Sequence, residues 1–271
     1  MDNYFLQLQL FGSLLRQMDR TVTKNPKEMK ANVFVMMAAM MLAVSSCTVR
    51  IGNGAEILEA SENIVKQKYQ QASFDKVESH VVGKIQLVQS DKSSVTLSAP
   101  ENYIDLFEFK NKDGELDIRF TKRNVNFHAD NITIIVYSPT FREIENRGAA
   151  DLHIDNLKTD ELEVKNSGVG AFTVKNLDAR KLDVSCSGVG SIKLSGSAEE
   201  AEYSCSGVGS IDAKELKAKS VEAKVSGVGG IDCYASDYIN GHVTGVGGLK
   251  YAGHPSKKEL SHGMTGGITE L

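Results

Sequence analysis

The sequence lacks several features that would direct its interpretation. Its 271 residues contain no tryptophan, only four prolines and only four cysteines, too few for a disulfide scaffold. No apolar run reaches the ~18 residues typical of a membrane-spanning helix. The formal net charge is −4, so there is no excess of Lys and Arg of the kind that nucleic-acid binding requires. These absences indicate a chain of one or two domains with no nucleic-acid partner.

The longest apolar run lies near the N-terminus, from Val33 to Ser46. As a helix it would extend ~21 Å, which is short of the ~30 Å hydrocarbon core of a bilayer. Met29-Lys30 precedes it, as in a secretory signal. The segment Val44-Ser45-Ser46-Cys47 resembles a bacterial lipobox, in which the cysteine is diacylated, and Thr48 at the next position favours the outer membrane. The alternative is an ordinary signal peptide with an incidental cysteine.

Four segments follow from this interpretation. Residues 1–28 are an extension upstream of the working start, or else a long n-region. Residues 29–46 are the lipoprotein signal peptide, and residues 47–68 are a tether with weak helical character. Residues 69–271 form one elongated β domain that a lipid on Cys47 would attach to the membrane.

Glycine is abundant and unevenly distributed, with 19 of the 24 glycines between Gly148 and Gly267. The motif Ser-Gly-Val-Gly, or a close variant of it, recurs at nearly constant spacing. A repeat of roughly 20 residues indicates a solenoid. The predicted corner glycines are Gly148, Gly168, Gly170, Gly188, Gly190, Gly207, Gly209, Gly227, Gly229, Gly245 and Gly247.

Apolar residues alternate with polar ones on both sides of each corner, as in Leu162-Glu163-Val164 and Ile192-Lys193-Leu194. This period of two predicts two or three short strands per unit, each with one buried face. Stacked units give a single-stranded parallel β-helix of about 20 residues per coil. The crossover rule favours right-handed coils. We expect the valine of each corner to point inward, residues 65–145 to form less regular opening coils, and residues 253–271 to cap the far end.

Several segments outside the glycine motif also carry information. Gly83-Lys84-Ile85-Gln86-Leu87, Ser94-Val95-Thr96-Leu97 and Gly114-Glu115-Leu116-Asp117-Ile118, together with the Ser-Gly-Val-Gly series, resemble the head GIN domain family of auto-transporter adhesins. The similarity covers roughly Phe74 to Leu271. The resemblance implies an all-β solenoid of the kind found in Gram-negative lipoproteins, with no known catalysis.

Catalytic and metal-binding patterns are missing from the sequence. Asp212 and Asp232 should stack in neighbouring coils, but lysines flank them, which is typical of a solvated charge ladder. The histidines show no ligand spacing, and the glycine motifs are not followed by a helix and a Lys-Ser/Thr pair. We therefore expect no catalytic residues, no metal and no cofactor.

Two groups of residues remain as candidates. Cys186 and Cys205 should occupy one inward column, either as two buried thiols or as a disulfide. A strip of small hydroxyl residues precedes the corners and could accept a glycan, another backbone or a second copy of the chain. Its members are Ser167, Ser187, Ser206, Ser226 and Thr244. The alternative is that small hydroxyl residues simply suit tight corners.

The sequence therefore predicts an outer-membrane lipoprotein whose non-catalytic solenoid binds an unknown protein or glycan. Two alternatives remain open. A polysaccharide-active β-helix enzyme would need carboxylates gathered on one outer face. A structural envelope lipoprotein would associate with itself through the strip of small residues.

Overall fold

The computed structural model describes residues 48–50, 56–122 and 125–271. Residues Thr48–Leu271 form one compact unit. The predicted extension 1–28, the signal peptide 29–46 and the lipid cysteine Cys47 lie outside the described residues. Within the described part, no helix is long and apolar enough to cross a membrane.

Short strands form the first half of this unit, with one 3-10 helix, Glu101–Leu106, among them. The strands are β1 (Thr48–Arg50), β2 (Glu56–Ile57), β3 (Ile64–Gln70), β4 (Lys76–Ser79), β5 (Val82–Gln89), β6 (Ser94–Pro100), β7 (Phe107–Lys112), β8 (Glu115–Phe120), β9 (Val125–His128) and β10 (Thr133–Ser138).

The second half consists of coils. Its strands are β11 (Glu143–Asn146), β12 (Ala149–Ile154), β13 (Leu157–Asn166), β14 (Val169–Cys186), β15 (Val189–Cys205), β16 (Val208–Val225), β17 (Val228–Val243), β18 (Val246–Ala252), β19 (Lys257–His262) and β20 (Gly267–Glu270). Consecutive coils pair in parallel, so that Ile192 lies between Phe172 and Ile211. The prediction of an all-β solenoid is confirmed, with about six turns.

Each coil has three faces, which we number from the glycine corner. The first face follows the corner, as residues 169–174 of β14 do, and the third face returns to it, as residues 181–186 do. A shorter second face lies between them. The strands are longer than predicted, because β14 and β16 continue through the bends as single strands of 18 residues instead of two or three short ones.

The differences in coil length are absorbed away from the glycine corner. Between β14 and β15 the register shifts after Val174, where Ser195 alone matches the two residues Lys175 and Asn176. Between β16 and β17 the shifts again fall on the second face, after Ala213 and Ala218. The corners themselves stay aligned throughout, and the shorter coils have their deletions in the second face.

The first half extends the same sheet. On the first face, β12 pairs with β5 and β5 pairs with β10, all in parallel. On the third face, β11 pairs with β4 and β4 pairs with β8. The order then departs from the coil pattern, because β6 pairs antiparallel with both β10 and β3.

The tether predicted over residues 47–68 is wrong for its last residues. Ile64–Gln70 forms β3, a full strand of the main sheet rather than a segment with helical character. The alternation of buried and exposed residues is weak in this strand. Val65 and Tyr69 are half-buried against the core, and the other five residues are exposed. β1, β9 and β2 form a separate three-stranded sheet.

The core runs through the coils as a continuous apolar column. Aromatic rings close its first end, where Tyr103 and Phe127 meet edge to face with their centroids 5.3 Å apart. At the far end, residues 257–270 form one more coil rather than a separate cap. Its inward positions carry a polar network in which Lys258 and Tyr251 donate to the Glu270 carboxylate. Inward charges of this kind protect a sheet edge from pairing with another chain.

Candidate functional site

The residues of the predicted strip are all exposed at the glycine corner. The backbone N–H groups of Ser187 and Gly188 donate to the Asn166 carbonyl of the coil before, and the same pattern recurs at each corner. The hydroxyl groups of the strip face outward, and Ser167 Oγ donates to Glu145 at 2.9 Å. The hydroxyls therefore remain on the surface while the corner backbone is held by the neighbouring coil.

The corner valines do not point inward as we expected. Val169 and Val189 are each 40% exposed and Val246 is 46% exposed, and Val208 and Val228 are half-buried. The period-two alternation continues through the corner. Cys186 and Ile192 are both buried, and Val189, three positions from each, lies on the same outer edge as Ser187, two positions before it. We call these valines, together with the five hydroxyl residues, the corner strip.

The inside of the corner is filled by another column, which the sequence analysis only partly recognised. Its members stand two positions before the first glycine of each corner and are buried at all six corners: Asn146, Asn166, Cys186, Cys205, Val225 and Val243. Asn146 Nδ2 donates to Asn166 Oδ1 at 3.1 Å, and Asn166 Nδ2 donates to the Gly170 carbonyl at 3.1 Å. The signal was present in the sequence, because the asparagines share the position of the two cysteines.

The cysteines of this column are free thiols. Cys186 and Cys205 are direct partners across neighbouring coils, and both are fully buried. The prediction of two buried thiols is confirmed, and the disulfide alternative is not observed. Cys205 Sγ donates to the Gly209 carbonyl at 3.4 Å. Cys233 is likewise buried, and burial raises the pKa of its thiol to about 12.

The paired glycines are needed for two separate reasons. A Cβ on Gly188 would fall well inside contact distance of the Gly168 carbonyl oxygen in the coil before, and the other first glycines meet the same obstacle. At the second position, Gly190 has φ +150° and would also meet the backbone of Gly170. Side chains at these positions would therefore force neighbouring coils apart.

A column of carboxylates runs along the third face. Five consecutive coils place an acidic residue at the same register position: Glu143, Glu163, Asp183, Glu202 and Glu222. Each of these residues stands five positions before the first glycine of a corner, so the glycine spacing already contained the signal for this column. The strand register shows that they stack. The column gathers carboxylates on one outer face, as the enzyme alternative requires.

The first and the middle members of the carboxylate column differ in electrostatics. Lys165 and Lys76 each donate to Glu143 at 2.8 Å, and these hydrogen bonds lower the pKa of its carboxyl. Asp183 is half-buried, and burial together with the charges of Glu202 and Glu163 raises its pKa. One carboxylate is thus held ionised by lysines, and another is pushed toward its protonated form by its surroundings.

The remaining candidates do not form a metal or catalytic site. Asp212 and Asp232 stack as predicted, with Lys193 and Lys250 as their neighbours in the column. Lys214 lies 3.4 Å from Asp212. Among the residues that the structure describes, no group of three or more His, Cys, Asp or Glu side chains could hold a metal ion.

Comparison with known proteins agrees with this architecture. A family model described as "Putative auto-transporter adhesin, head GIN domain" matches residues 73–255. The chain belongs to this family. No curated protein matches the chain.

Several solved structures share the fold of the family. A putative adhesin from Bacteroides fragilis is 35% identical, with a TM-score of 0.77 over 79% of this chain and 100% of its own. A putative adhesin from Parabacteroides merdae is 22% identical, with a TM-score of 0.64 over 80% of this chain and 100% of its own. A protein from Parabacteroides distasonis described as a putative lipid binding protein is 19% identical, with a TM-score of 0.65 over the same shares. At these lower identities the likeness shows the fold alone.

Proposed function

We propose that this protein is a cell-envelope lipoprotein, anchored in the outer membrane through acylated Cys47, whose solenoid serves as a non-catalytic adhesion module. Its partner would be a protein or a glycan, and no nucleic acid or cofactor takes part. The lipid would hold the module at the membrane while the faces of the rod remain available for contact.

The corner strip is the observation that carries this proposal. Five coils present an exposed or half-exposed valine beside an exposed hydroxyl residue, in register along one edge of the rod. Contiguous apolar surface on a soluble domain commonly marks an interaction site. The 35% identical relative described as a putative adhesin supports the same role.

Two observations support the anchor. Val44-Ser45-Ser46-Cys47 resembles a lipobox, and the compact unit begins at Thr48, one residue later. Mass spectrometry of the protein extracted from membranes should give a diacylated N-terminal Cys47, and the Cys47→Ala variant should be released in soluble form. An unacylated N-terminus at Met1 would overturn the anchor.

Adhesion can be tested with the full chain on coated beads applied to host and bacterial cells. Replacing Val169, Val189 and Val246 by serine should abolish bead attachment, because it removes the three most exposed valines of the corner strip. Ile64→Ser is the matched control, since Ile64 is 44% exposed on a strand away from the strip. Attachment that survives the triple change, or no attachment by the wild-type chain, would contradict the proposal.

Self-association is the competing use of the same strip. A second copy could cover the valines, in which case light scattering of the chain would give a dimer or larger species. The triple serine variant would then become monomeric. A wild-type chain that is monomeric at high concentration excludes this alternative.

The carboxylate column favours one further candidate, a polysaccharide-active enzyme. Retaining glycosidases place two carboxyl groups ~5 Å apart, one of them with a raised pKa. Asp183 has a raised pKa and stacks on Glu163 and Glu202 at the ~4.8 Å spacing of strands. Release of reducing ends from plant and bacterial polysaccharides, lost in Asp183→Asn, would establish this activity. No release by the wild-type chain would exclude it for those substrates.

A further inference from the structure

A cleft of about 430 Å³ lies on the outer side of the first face, where β10, β5, β12 and β14 run side by side. It is separate from the corner strip and from the carboxylate column. Its polar side chains are Lys84, Gln86, Thr133, Asp151, His153 and Thr173. Ala171 adds a small side chain, which leaves room between these groups. The volume falls within the ~300–1,000 Å³ range of small-ligand sites.

Most of these polar groups have no partner among the residues that the structure describes. The side chains of Lys84, Gln86, Thr133 and Thr173 make no hydrogen bond or salt bridge to any residue in the described ranges. Asp151 is only partly engaged, because one carboxylate oxygen accepts the Ala171 N–H at 2.8 Å. His153 uses Nε2 in its 2.8 Å contact with Asp155, which leaves Nδ1 open. The cleft therefore offers unused donors and acceptors to a ligand.

The concave region on the third face differs from the first-face cleft in having most of its charged groups paired within the protein. It measures about 310 Å³ and is also lined by charged residues. There Lys76 is bound to Glu143 at 2.8 Å, and Arg142 is bound to Asp75 at 2.8 Å. Among the described residues, five of its seven charged side chains form ion pairs and Lys181 and Asp183 do not, whereas Lys84 and Asp151 of the first-face cleft form none. Concavity alone does not distinguish the two regions, but the share of paired charges does.

We propose that the first-face cleft binds an uncharged pyranose unit of a glycan. Two threonine hydroxyls and an amide can each donate and accept, as the hydroxyl groups of a sugar require. Lys84 and Asp151 are direct partners across β5 and β12, so their opposite charges lie side by side and favour a ligand without net charge. This inference rests on the proposed adhesion function and names its ligand class and its site.

A peptide ligand fits the cleft less well. Peptides commonly bind sheets by adding a strand to an unpaired edge. On the first face β5 is paired on both sides, with β10 and with β12, so its backbone groups are already used. Only side chains face the ligand, and the polar ones, long at Lys84 and Gln86 and short at Thr173, are arranged at the spacing of the strands. This arrangement is suited to a ring bearing several hydroxyls.

The test measures binding of the full chain, purified in detergent, to immobilised linear hexasaccharides of glucose, mannose, galactose and N-acetylglucosamine. At least one should bind. Gln86→Ala combined with Thr173→Ala should weaken that binding by about tenfold, because several hydrogen bonds to the sugar are lost. Thr269→Ala is the matched control, since Thr269 continues the column of Thr173 at the far end of the first face. It should leave binding unchanged.

Three outcomes would contradict the proposed sugar site. The first is that the wild-type chain binds none of the neutral hexasaccharides, and the second is that it binds polygalacturonate more tightly than all of them. The third is that the double variant binds as well as the control. The proposed adhesion function fails separately. If the valine variant loses bead attachment but Gln86→Ala with Thr173→Ala leaves hexasaccharide binding unchanged, the adhesion function stands and the cleft is not the sugar site. If sugar binding depends on the cleft but the wild-type chain attaches no beads, the cleft is the sugar site and the adhesion function is wrong.

Discussion

The glycine corner and the second face respond differently to changes in coil length. At the corner, Val189, Gly190 and their equivalents stay in register through every coil, whatever the step between glycines. On the second face the register shifts between β14 and β15 and again between β16 and β17. Where a residue is missing, Gly196 takes φ +129° to complete the shorter turn.

The difference arises from what separates the coils at each place. At the corner, the backbones of neighbouring coils are in direct contact, so an added atom would clash with the coil before. On the second face, the bends carry exposed side chains such as Ser236 and Asp237, and length can change toward solvent. Function can therefore vary on the outward columns while the corner keeps the coils aligned.

Inserting one residue at the glycine corner should cause the largest loss of stability. A serine added between Ser226 and Gly227 would shift the following strand by one position and turn Ile231 and Cys233 out of the core. The free energy of unfolding should fall by about 3–6 kcal/mol, since burial of each such side chain contributes ~1.5–3 kcal/mol. Urea unfolding measures this loss.

The same insertion at the second face provides the control. A serine added between Ser236 and Asp237 lengthens an exposed bend in the same coil and should cost less than about 1 kcal/mol. Equal losses at both places would show that the corner has no special rigidity.

Adding a single methyl group should destabilise the chain at a corner glycine and not at a glycine with open space around it. Gly188→Ala places a Cβ against the Gly168 carbonyl and should lower the free energy of unfolding by about 3 kcal/mol. Gly267→Ala meets no atom within 4 Å and should stay within about 1 kcal/mol of wild type. Thermal unfolding of the two variants side by side would decide the point, and a stable Gly188→Ala would contradict the contact argument.

The fold could be predicted from the sequence because the glycine spacing and the period-two alternation repeat in every coil. Leu162, Val164 and Ile192, expected inside, are buried. The outward direction of Val169 also follows from the alternation, because Val169 lies an odd number of positions from the buried Val164 and Phe172. The cleft could not be predicted, since β5 and β10 are far apart in the sequence and no local pattern links them. Lipidation of Cys47 and binding at the corner strip stay predictions.

The asparagines inside the corner should contribute less than the glycines but more than their neighbours. Asn166→Ala removes the donor to the Gly170 carbonyl and the acceptor of Asn146, although Asn146 keeps its hydrogen bonds to the carbonyls of Ala150 and Val169. The expected loss is about 2 kcal/mol. Cys186→Ala, one coil later in the same column, loses only a small apolar group and should cost about 1 kcal/mol. Urea midpoints in the opposite order would show that the hydrogen bonds do not stabilise the corner.

The smallest effect is expected on the third face, at Asp183. Its folded-state pKa is raised, so its charge opposes folding at neutral pH and stability rises as pH falls through that pKa. Asp183→Asn removes the charge and should stabilise the chain at pH 7 by about 0.5 kcal/mol. The gain should vanish at low pH, where the wild-type carboxyl is protonated. Glu143 has a lowered pKa, so its contribution is present at neutral pH and is lost as pH falls. Glu143→Gln should therefore destabilise at pH 7, and melting curves for both variants at pH 7 and pH 3 would reveal whether their effects have these opposite signs.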